Sequence, residues 1–236
     1  MRKQKRAIVI LTGAGISAES GLATFRDQDG LWEGHAVDEV ATPEAFERNP
    51  ELVQRFYNLR RAALATVEPN AAHRALARLQ DEYGGRVTLI TQNVDDLHER
   101  GGFSGAIHMH GELRRVKCEV CHWEGGWEGD LEVTTACPEC GTTGHLRPDI
   151  VWFGEMPYSM DVIEAAVGSA GVFAAIGTSG LVYPAAGLVR LAKFAGAETV
   201  EINNKETAVS GTFDRCRTGP ASVEVPAWVD ELLAED

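Results

Sequence analysis

The chain has 236 residues, of which 44% are hydrophobic and 24% charged, a balance that is ordinary for a globular protein. Its formal net charge is −13, and an acidic surface of this kind repels nucleic-acid phosphates. No stretch approaches the ~20 apolar residues that a membrane-spanning helix needs. We therefore expect neither a nucleic-acid nor a membrane partner, and we expect a cytoplasmic location.

Short apolar runs alternate with helical patterns along the chain. Four runs rich in Val and Ile end in Gly, Ser, Thr or Asn, at residues 5–11, 86–91, 172–176 and 199–202. Runs of this kind are typical of parallel strands buried on both faces. Helical stretches lie between them, for example at residues 73–82 and 184–194. The alternation predicts an α/β fold, an open Rossmann-like parallel sheet with helices on both faces.

The first predicted strand runs into a glycine loop. Residues 13–18, Gly-Ala-Gly-Ile-Ser-Ala, fit the G-x-G-x-x-A form of a dinucleotide-binding loop. In such a loop Gly13 permits a tight turn, and Gly15 lets the backbone approach a pyrophosphate at a helix N-terminus. The acidic residue that a dehydrogenase places at the end of its second strand is not evident, so an ordinary dehydrogenase is disfavoured.

A helical segment then interrupts the alternation. Residues 43–67 are predicted to be helical, and Leu52, Phe56, Leu59 and Ala63 fall on one stripe, as on the apolar face of an amphipathic helix. The segment is predicted to be an insertion into the Rossmann-like sheet.

The cysteines mark a second insertion. Cys118, Cys121, Cys137 and Cys140 form two C-x-x-C pairs, and in a reducing cytosol such pairs hold metal more often than they form disulfides. Four thiolates fill a tetrahedral zinc site and leave no position for water, so one structural zinc is expected. The odd thiol, Cys216, is expected to be a small core residue.

These features predict three units. The Rossmann-like domain is expected to be discontinuous, formed by residues 1–33, 68–113 and 148–236. The helical insertion is placed at residues 34–67 and the zinc module at residues 114–147. The zinc module is poor in core residues, so we expect that it needs its metal to fold.

Further motifs follow the glycine loop in a fixed order. Glu-Ser-Gly at residues 19–21 and Thr-Phe-Arg at 24–26 come first. Thr-Gln-Asn-Val-Asp at 91–95, His-Gly at 110–111, Val-Trp-Phe-Gly-Glu at 151–155, Gly-Thr-Ser at 177–179 and Gly-Pro-Ala at 219–221 complete the set. In this order they resemble the motifs of the sirtuins, NAD-dependent protein-lysine deacylases, and the cysteines fall where that family keeps its zinc. The resemblance extends from residue 12 to residue 221. Gly180 departs from it, because a bulkier residue is expected after Gly-Thr-Ser.

The resemblance implies a reaction and the residues that hold NAD. Nicotinamide leaves, the acyl oxygen attacks the ribose C1′, and the acyl group ends on ADP-ribose. Asn93 and Asp95 would recognise nicotinamide, and Gln92 would contact the adjoining ribose. Asn203 would bind the adenine-side ribose, and Ala221 would lie against adenine. Arg26 and Ser17 would hold the phosphates, and Phe25 would shield the reactive sugar carbon from water. The implied cofactor-binding residues are Gly13, Ala14, Gly15, Ser17, Phe25, Arg26, Gln92, Asn93, Asp95, Gly177, Thr178, Ser179, Asn203 and Ala221.

Two histidines compete for the role of catalytic base. His108 and His110 are two residues apart on a predicted strand and so point to the same side. His110 would stand at the carboxyl end of that strand, where open α/β sheets bind ligands. The resemblance assigns His110 as the base that takes the ribose hydroxyl proton, and His108 as structural. His73 and His98 are expected to be helix residues with local partners.

One helical stretch narrows the subclass. Residues 56–61 resemble the helix of class III sirtuins, in which a Tyr and an Arg three residues later bind the carboxylate of an acidic acyl group. Here these would be Tyr57 and Arg60, which supply one phenol hydrogen bond and one bidentate guanidinium. Without the resemblance they are two boundary residues of an ordinary amphipathic helix. Acylated-lysine proteins or peptides would be the partners of a monomeric enzyme, with the substrate cleft lined by Phe153, Gly154 and Glu155.

Other functions remain open. Within the family, the chain could be a plain deacetylase or a mono-ADP-ribosyltransferase. A Rossmann-type dehydrogenase is disfavoured by residues 92–95. A zinc-ribbon nucleic-acid-binding protein needs a basic surface, but the neighbours of the cysteines include Glu119, Glu124, Glu128, Asp130 and Glu132.

Overall fold

Strands and short helices alternate along the part of the chain that the computed structural model describes, residues 5–22 and 35–234. The strands there are β1 (Ile8–Thr12), β2 (Val87–Thr91), β3 (Ile107–His108), β4 (Gly111–Cys118), β5 (Glu124–Gly126), β6 (Leu146–Ile150), β7 (Val172–Ile176), β8 (Glu198–Asn203) and β9 (Arg215–Thr218). The α-helices are α1 (Gly15–Ala18), α2 (Val37–Val40), α3 (Pro43–Arg48), α4 (Pro50–Leu64), α5 (Ala71–Glu82), α6 (Leu97–Arg100), α7 (Met160–Gly168), α8 (Leu188–Phe194) and α9 (Ala221–Ala234). None of these helices has both the length and the apolar character needed to cross a membrane.

The larger sheet is parallel throughout. Its strand order is β3-β2-β1-β7-β8-β9. Every residue of β1 and β7 is buried, which explains why these strands are continuous apolar runs. The strand order reverses between β1 and β7, and open α/β sheets bind ligands outside the carboxyl ends of the strands at such a point. The predicted Rossmann-like sheet is confirmed, and the four predicted strands differ from the observed ones only at their ends.

Helices cover both faces of this sheet, as predicted. On one face Ile8 and Ile10 pack in a cluster with residues of α5 and α9, including the buried Trp228. On the other face Val9 and Leu11 pack with residues of α7 and α8. Because side chains alternate between the two faces of β1, its residues pack in two separate cores, one on each face of the sheet.

The first insertion contains two helices with well-defined starts. Thr42 Oγ1 accepts a hydrogen bond from Ala45 N (3.1 Å) at the start of α3, and Asn49 Oδ1 accepts one from Leu52 N (3.1 Å) at the start of α4. Each cap is followed by a proline, which suits the first position of a helix because its missing N–H has no partner there. The predicted helical stretch is therefore divided at Asn49.

The predicted apolar stripe of this insertion is wrong at Leu59 and leaves out part of the buried face. Leu59 is 65% exposed, whereas Val53, Phe56, Tyr57 and Leu64 are buried. The apolar residues of α4 span a wide arc, and the part that is covered depends on segments remote in sequence, because Trp152 and residues of β4 and β6 pack on it.

The two predicted insertions pack as one body. Strands β5, β4 and β6 form an antiparallel sheet that extends beyond residues 114–147 at both ends. Asn58 on α4 donates to the Leu131 carbonyl oxygen (3.0 Å) and accepts from Leu131 N (2.9 Å). Gln54 on the same helix donates to the Leu146 carbonyl oxygen (2.7 Å). We call residues 35–67 and 111–152 together the insertion unit.

Candidate active site

A cavity of about 650 Å³ lies between the parallel sheet and the insertion unit. One wall consists of loops that follow β1, β2, β7 and β8, so it stands at the carboxyl ends of these strands. The opposite wall belongs to the insertion unit and includes Tyr57, Arg60 and Trp152. The position is the one expected for a ligand on a Rossmann-type sheet.

The loops after β1 and β7 touch each other at the base of this cavity. A Cβ on Gly15 would lie 2.7 Å from Gly177 Cα, and one on Gly13 would lie 2.9 Å from the Gly177 carbonyl oxygen. Gly177 itself adopts a φ of +62°, which favours glycine. The prediction gave the two loop glycines a local role in turning and in approaching a pyrophosphate, but the contact between the loops already requires them. The resulting surface of backbone atoms without side chains suits a pyrophosphate.

Ser17 joins several buried polar groups beneath the cavity. Its hydroxyl donates to Asp95 Oδ2 (3.0 Å) and accepts from Asn93 Nδ2 (3.1 Å) and from His73 Nε2 (3.4 Å). His73 Nδ1 accepts from Asn70 N (3.2 Å), so the ring proton is on Nε2. Burial lowers the pKa of His73 to about 4 and raises the pKa of Asp95. The network fixes the predicted nicotinamide-binding residues relative to Ser17, which the prediction had assigned to the phosphates.

His73 is a member of this network that the sequence reasoning did not find. It lies in the first turn of α5, and its spacing of three residues from the cap Asn70 is the only local signal in the sequence. Its contact with Ser17 joins residues 56 positions apart, which local patterns cannot reveal.

His110 borders the cavity, whereas His108 is held elsewhere. β3 ends at His108 and His110 lies in the turn before β4, so the two do not share a strand as predicted. The ring Nδ1 of His110 donates to the Gln92 carbonyl oxygen (3.1 Å), which leaves Nε2 as the nitrogen able to accept a proton. Burial lowers the pKa of His110, so its neutral form persists to a lower pH than in an exposed histidine.

His108 has the contacts of a structural residue. Its Nε2 lies 3.0 Å from Glu99 Oε1, and its Nδ1 lies 3.2 Å from the Asn93 carbonyl oxygen. Burial acts to lower the pKa of His108, but its hydrogen bond to Glu99, the charges of Glu99 and Glu112 and its contact with the Asn93 carbonyl oxygen together raise it. Both ring nitrogens already have a partner, so neither is available to accept a proton from a substrate.

The loops at the nucleotide end are joined through Thr178. Gln92 Nε2 donates to Thr178 Oγ1 (3.1 Å), and Asn203 Nδ2 donates to the Thr178 carbonyl oxygen (2.8 Å). These residues, Ala14 and Ser179 border the cavity. Ala221 is instead buried in the core at the start of α9 and does not border the cavity, so the geometry gives no support to its predicted contact with adenine.

Two predicted cofactor-binding residues, Phe25 and Arg26, lie outside the described residues.

Gly180 follows the Gly-Thr-Ser loop where a bulkier residue was expected. Its φ is +65°, and a Cβ there would lie 2.2 Å from Val209 Cγ2. The conformation and the contact with Val209 both require glycine, which explains the departure from the expected motif.

Tyr57 and Arg60 meet at the insertion-unit side of the cavity. Tyr57 is completely buried, and its hydroxyl oxygen accepts a hydrogen bond from Trp152 Nε1 (2.9 Å). The guanidinium carbon of Arg60 lies 5.7 Å from the centre of the Phe56 ring. The structure brings the predicted pair together, but Tyr57 lies on the buried face of α4 and not beside it.

An ion pair that was not expected from the sequence stabilises residues 153–155, which we call the cleft loop. Arg147 Nη1 and Nη2 donate to the two carboxylate oxygens of Glu155 (2.9 and 2.8 Å). Glu155 also accepts from Trp152 N (2.8 Å). Phe153 and Gly154 border the cavity as predicted, and Phe153 is 45% exposed. Glu155 borders it too, but its carboxylate is occupied in holding the loop.

The four predicted zinc ligands converge. The Sγ atoms of Cys118, Cys121, Cys137 and Cys140 all lie within 4.8 Å of one another, with Cys118–Cys140 at 3.8 Å and Cys121–Cys137 at 3.7 Å. Four Zn–S bonds of about 2.3 Å in a tetrahedron require S–S separations of about 3.8 Å. The cysteines therefore fit a zinc ion, and the small core around them makes the metal a structural one.

The prediction for the fifth cysteine is wrong. Cys216 is exposed on β9, the edge strand of the parallel sheet, and its thiol contacts the Ser210 carbonyl oxygen at 3.5 Å. An edge strand has a neighbour on one side only, so its side chains are less covered than those of β1.

The fold and this site together define a Rossmann-type NAD-binding protein with a structural zinc module. The profile of the Sir2 family matches residues 13–184. A protein of Bdellovibrio bacteriovorus named NAD-dependent protein deacylase is 58% identical over 228 residues, which cover 96% of each chain. The chain belongs to the Sir2 family, the sirtuins, so the resemblance found in the sequence is confirmed.

Solved structures support the same conclusion. The crystal structure of a Sir2 homolog–NAD complex is 40% identical with a TM-score of 0.88, over 97% of this chain and 90% of that one. A structure of Sir2 bound to acetylated peptide is 28% identical with a TM-score of 0.82, over 96% of this chain and 93% of that one.

Proposed function

We propose that this chain is an NAD-dependent protein-lysine deacylase that prefers succinyl- and malonyl-lysine. The observation that carries the proposal is the composition of one cavity. Its sheet side holds the glycine loops and His110, and its insertion-unit side holds Tyr57 and Arg60. The proposed cofactor site, the proposed base and the Arg60 guanidinium therefore border a common space.

The residues of the sheet side suit the chemistry of the cofactor. When bound, NAD supplies nicotinamide as the leaving group and a ribose carbon as the acceptor of the acyl oxygen. Asn93 and Asp95 would hold the nicotinamide amide, and Ser17 and His73 keep them in place. His110 would accept the ribose hydroxyl proton on Nε2, because its Nδ1 already donates to the Gln92 carbonyl oxygen.

The residues of the insertion-unit side suit an acidic acyl group. A carboxylate that enters a cavity without a cation loses its hydration without compensation, at a cost of several kcal/mol. Arg60 supplies that cation where the cavity is bordered by Tyr57. Acetyl-lysine ends in a methyl group and makes no use of either side chain.

The decisive experiment compares acyl chains and one substitution. Purified enzyme is given NAD and a peptide that carries acetyl-, succinyl- or malonyl-lysine, and nicotinamide release is measured. Succinyl- and malonyl-lysine should be favoured in kcat/KM. Arg60→Met should lower desuccinylation ~10- to 100-fold, the worth of a charge-assisted hydrogen bond, and change deacetylation little.

The matched control is Arg55→Met, because Arg55 is exposed on the same helix and does not border the cavity. It should leave both activities unchanged. A wild-type enzyme that favours acetyl-lysine by a wide margin, or an equal loss of both activities in Arg60→Met, would make the chain a plain deacetylase. Labelled ADP-ribose retained on the protein substrate would favour mono-ADP-ribosyl transfer.

The proposal also covers the cellular location, the oligomeric state and the partners of the enzyme. We place it in the cytoplasm, because four thiolates hold a metal best in a reducing compartment. We expect a monomer that acts on acylated-lysine proteins and binds neither nucleic acid nor membranes. A molar mass near 25.5 kDa in light scattering would agree with a monomer.

A further inference from the structure

Along the insertion-unit wall of the cavity, a chain of polar contacts joins three segments of the insertion unit and the loop after it. It starts at Glu155 in the cleft loop and passes through Arg147, on β6, to Trp152. The guanidinium carbon of Arg147 lies 3.4 Å from the centre of the Trp152 ring. Trp152 then donates through its indole N–H to the hydroxyl oxygen of Tyr57 (2.9 Å) on α4.

The last contact has a fixed direction. An indole N–H can only donate, so the Tyr57 oxygen must be the acceptor. A phenol hydroxyl has two in-plane directions, and the indole occupies one of them. The phenol proton therefore has to be donated in the other direction. Burial also raises the pKa of Tyr57, so the phenol keeps this proton at neutral pH.

We infer that Trp152 is a positioning residue for acyl selectivity: by donating to Tyr57 it makes the tyrosine hydroxyl a donor toward the cavity, which Tyr57 borders beside Arg60. The inference rests on the proposed function. A hydroxyl that donates a hydrogen bond stabilises a bound carboxylate, which accepts it, but forms no hydrogen bond with the methyl group of acetyl-lysine. Arg147 holds the indole in place from the other side, stacked on its ring and tied to Glu155.

The packing around Trp152 explains why the direction of the hydrogen bond to Tyr57 is fixed. Trp152 is buried, its ring packs 5.5 Å from Phe46, and its own backbone N–H is held by Glu155 (2.8 Å). Tyr57 is likewise buried, with its ring 5.1 Å from Phe56. Neither ring can reorient without disturbing the core of the insertion unit.

The test is a double-mutant cycle read as the ratio of desuccinylation to deacetylation in kcat/KM. Trp152→Phe should lower this ratio about tenfold, the equivalent of one hydrogen bond, mainly through the KM for succinyl-lysine. Tyr57→Phe should lower the ratio as well. Because Trp152 acts through the hydroxyl, Trp152→Phe should have little further effect in the Tyr57→Phe background.

Two further variants distinguish the effect of losing the indole hydrogen bond from the effect of altered packing. Trp152→β-(3-benzothienyl)alanine keeps the shape of the indole ring and lacks the N–H, so it should lower the ratio as Trp152→Phe does, even if the latter folds poorly. Trp127→Phe removes the indole N–H that lies 3.3 Å from the Asp130 carbonyl oxygen in the zinc module, and it should leave the ratio unchanged.

The outcomes distinguish this inference from the proposed function. A wild-type enzyme without preference for succinyl- over acetyl-lysine overturns both. A wild-type enzyme with that preference, together with an unchanged ratio in Trp152→Phe and the benzothienyl variant, overturns the positioning role alone. So do independent, multiplicative effects of the Tyr57 and Trp152 substitutions.

Discussion

Mild acid should destabilise the folded protein through His73. The side chain is fully buried, and burial lowers its pKa from 6.5 to about 4. Between these two pH values the unfolded chain binds a proton at His73 and the folded chain does not. The free energy of unfolding must therefore fall as the pH falls from about 6.5 to about 4.

The size of the effect follows from the two pKa values. One pKa unit corresponds to about 1.4 kcal/mol, so this histidine should lower the free energy of unfolding by about 2 kcal/mol at pH 5. The full loss, below pH 4, is about 3 kcal/mol. Above pH 7 the group is neutral in both states and contributes no pH dependence.

Urea unfolding followed by tryptophan fluorescence at pH 7.5, 6.5, 5.5 and 5.0 measures the effect. His73→Gln removes the titrating group, so its drop in stability from pH 7.5 to pH 5 should be about 2 kcal/mol smaller than that of the wild type. Carboxylates and zinc-bound thiolates also take up protons in this range, so the difference between the two proteins is the quantity to compare. His145→Asn removes an exposed histidine and is the control for the loss of an imidazole. Parallel slopes for the wild type and His73→Gln would refute the reasoning.

The remaining predictions concern the base, the metal and one glycine. His110→Ala should lose at least ~100-fold in turnover and keep much of its NAD binding by calorimetry; near-normal turnover, together with a large loss in His108→Ala, would reverse the assignment. Cys118→Ala should lose stoichiometric zinc by atomic absorption and several kcal/mol of stability, since such sites supply ~10–16 kcal/mol in isolated peptides; unchanged stability and activity would exclude a structural metal. Gly180→Ala should lower the free energy of unfolding by at least ~1–2 kcal/mol because of its positive φ and the contact with Val209, and Val209→Ala should restore part of the loss; a denaturation midpoint like that of the wild type would contradict this.

The sequence was most informative where structure depends on local pattern. Strands buried on both faces are continuous apolar runs, so β1, β2, β7 and β8 were recognised. In a parallel sheet the carboxyl ends of the strands meet at one edge, and the loops after these four strands border one cavity. The cysteine spacing likewise determines a tetrahedral site with little freedom.

Contacts between remote segments account for what the sequence did not reveal. Leu59 belongs to an apolar arc, but the cover of α4 comes from Trp152 and neighbours far along the chain. The bond between Tyr57 and Trp152 joins residues 95 positions apart. The need for glycine at position 15 arises from Gly177, on a loop that follows a different strand. No periodicity or propensity encodes such pairings.

The division of the cavity between two structural bodies has a consequence for protein engineering. Loops of the parallel sheet form the wall that would bind the cofactor, and the insertion unit forms the wall that would contact the acyl group and select among acyl groups. Grafting residues 35–67 together with 111–152 from a relative should therefore exchange one specificity for another without redesign of the nucleotide loops. Grafting only one of the two segments would separate Tyr57 from its native Trp152 partner, so the two stretches should be transplanted as a single cassette.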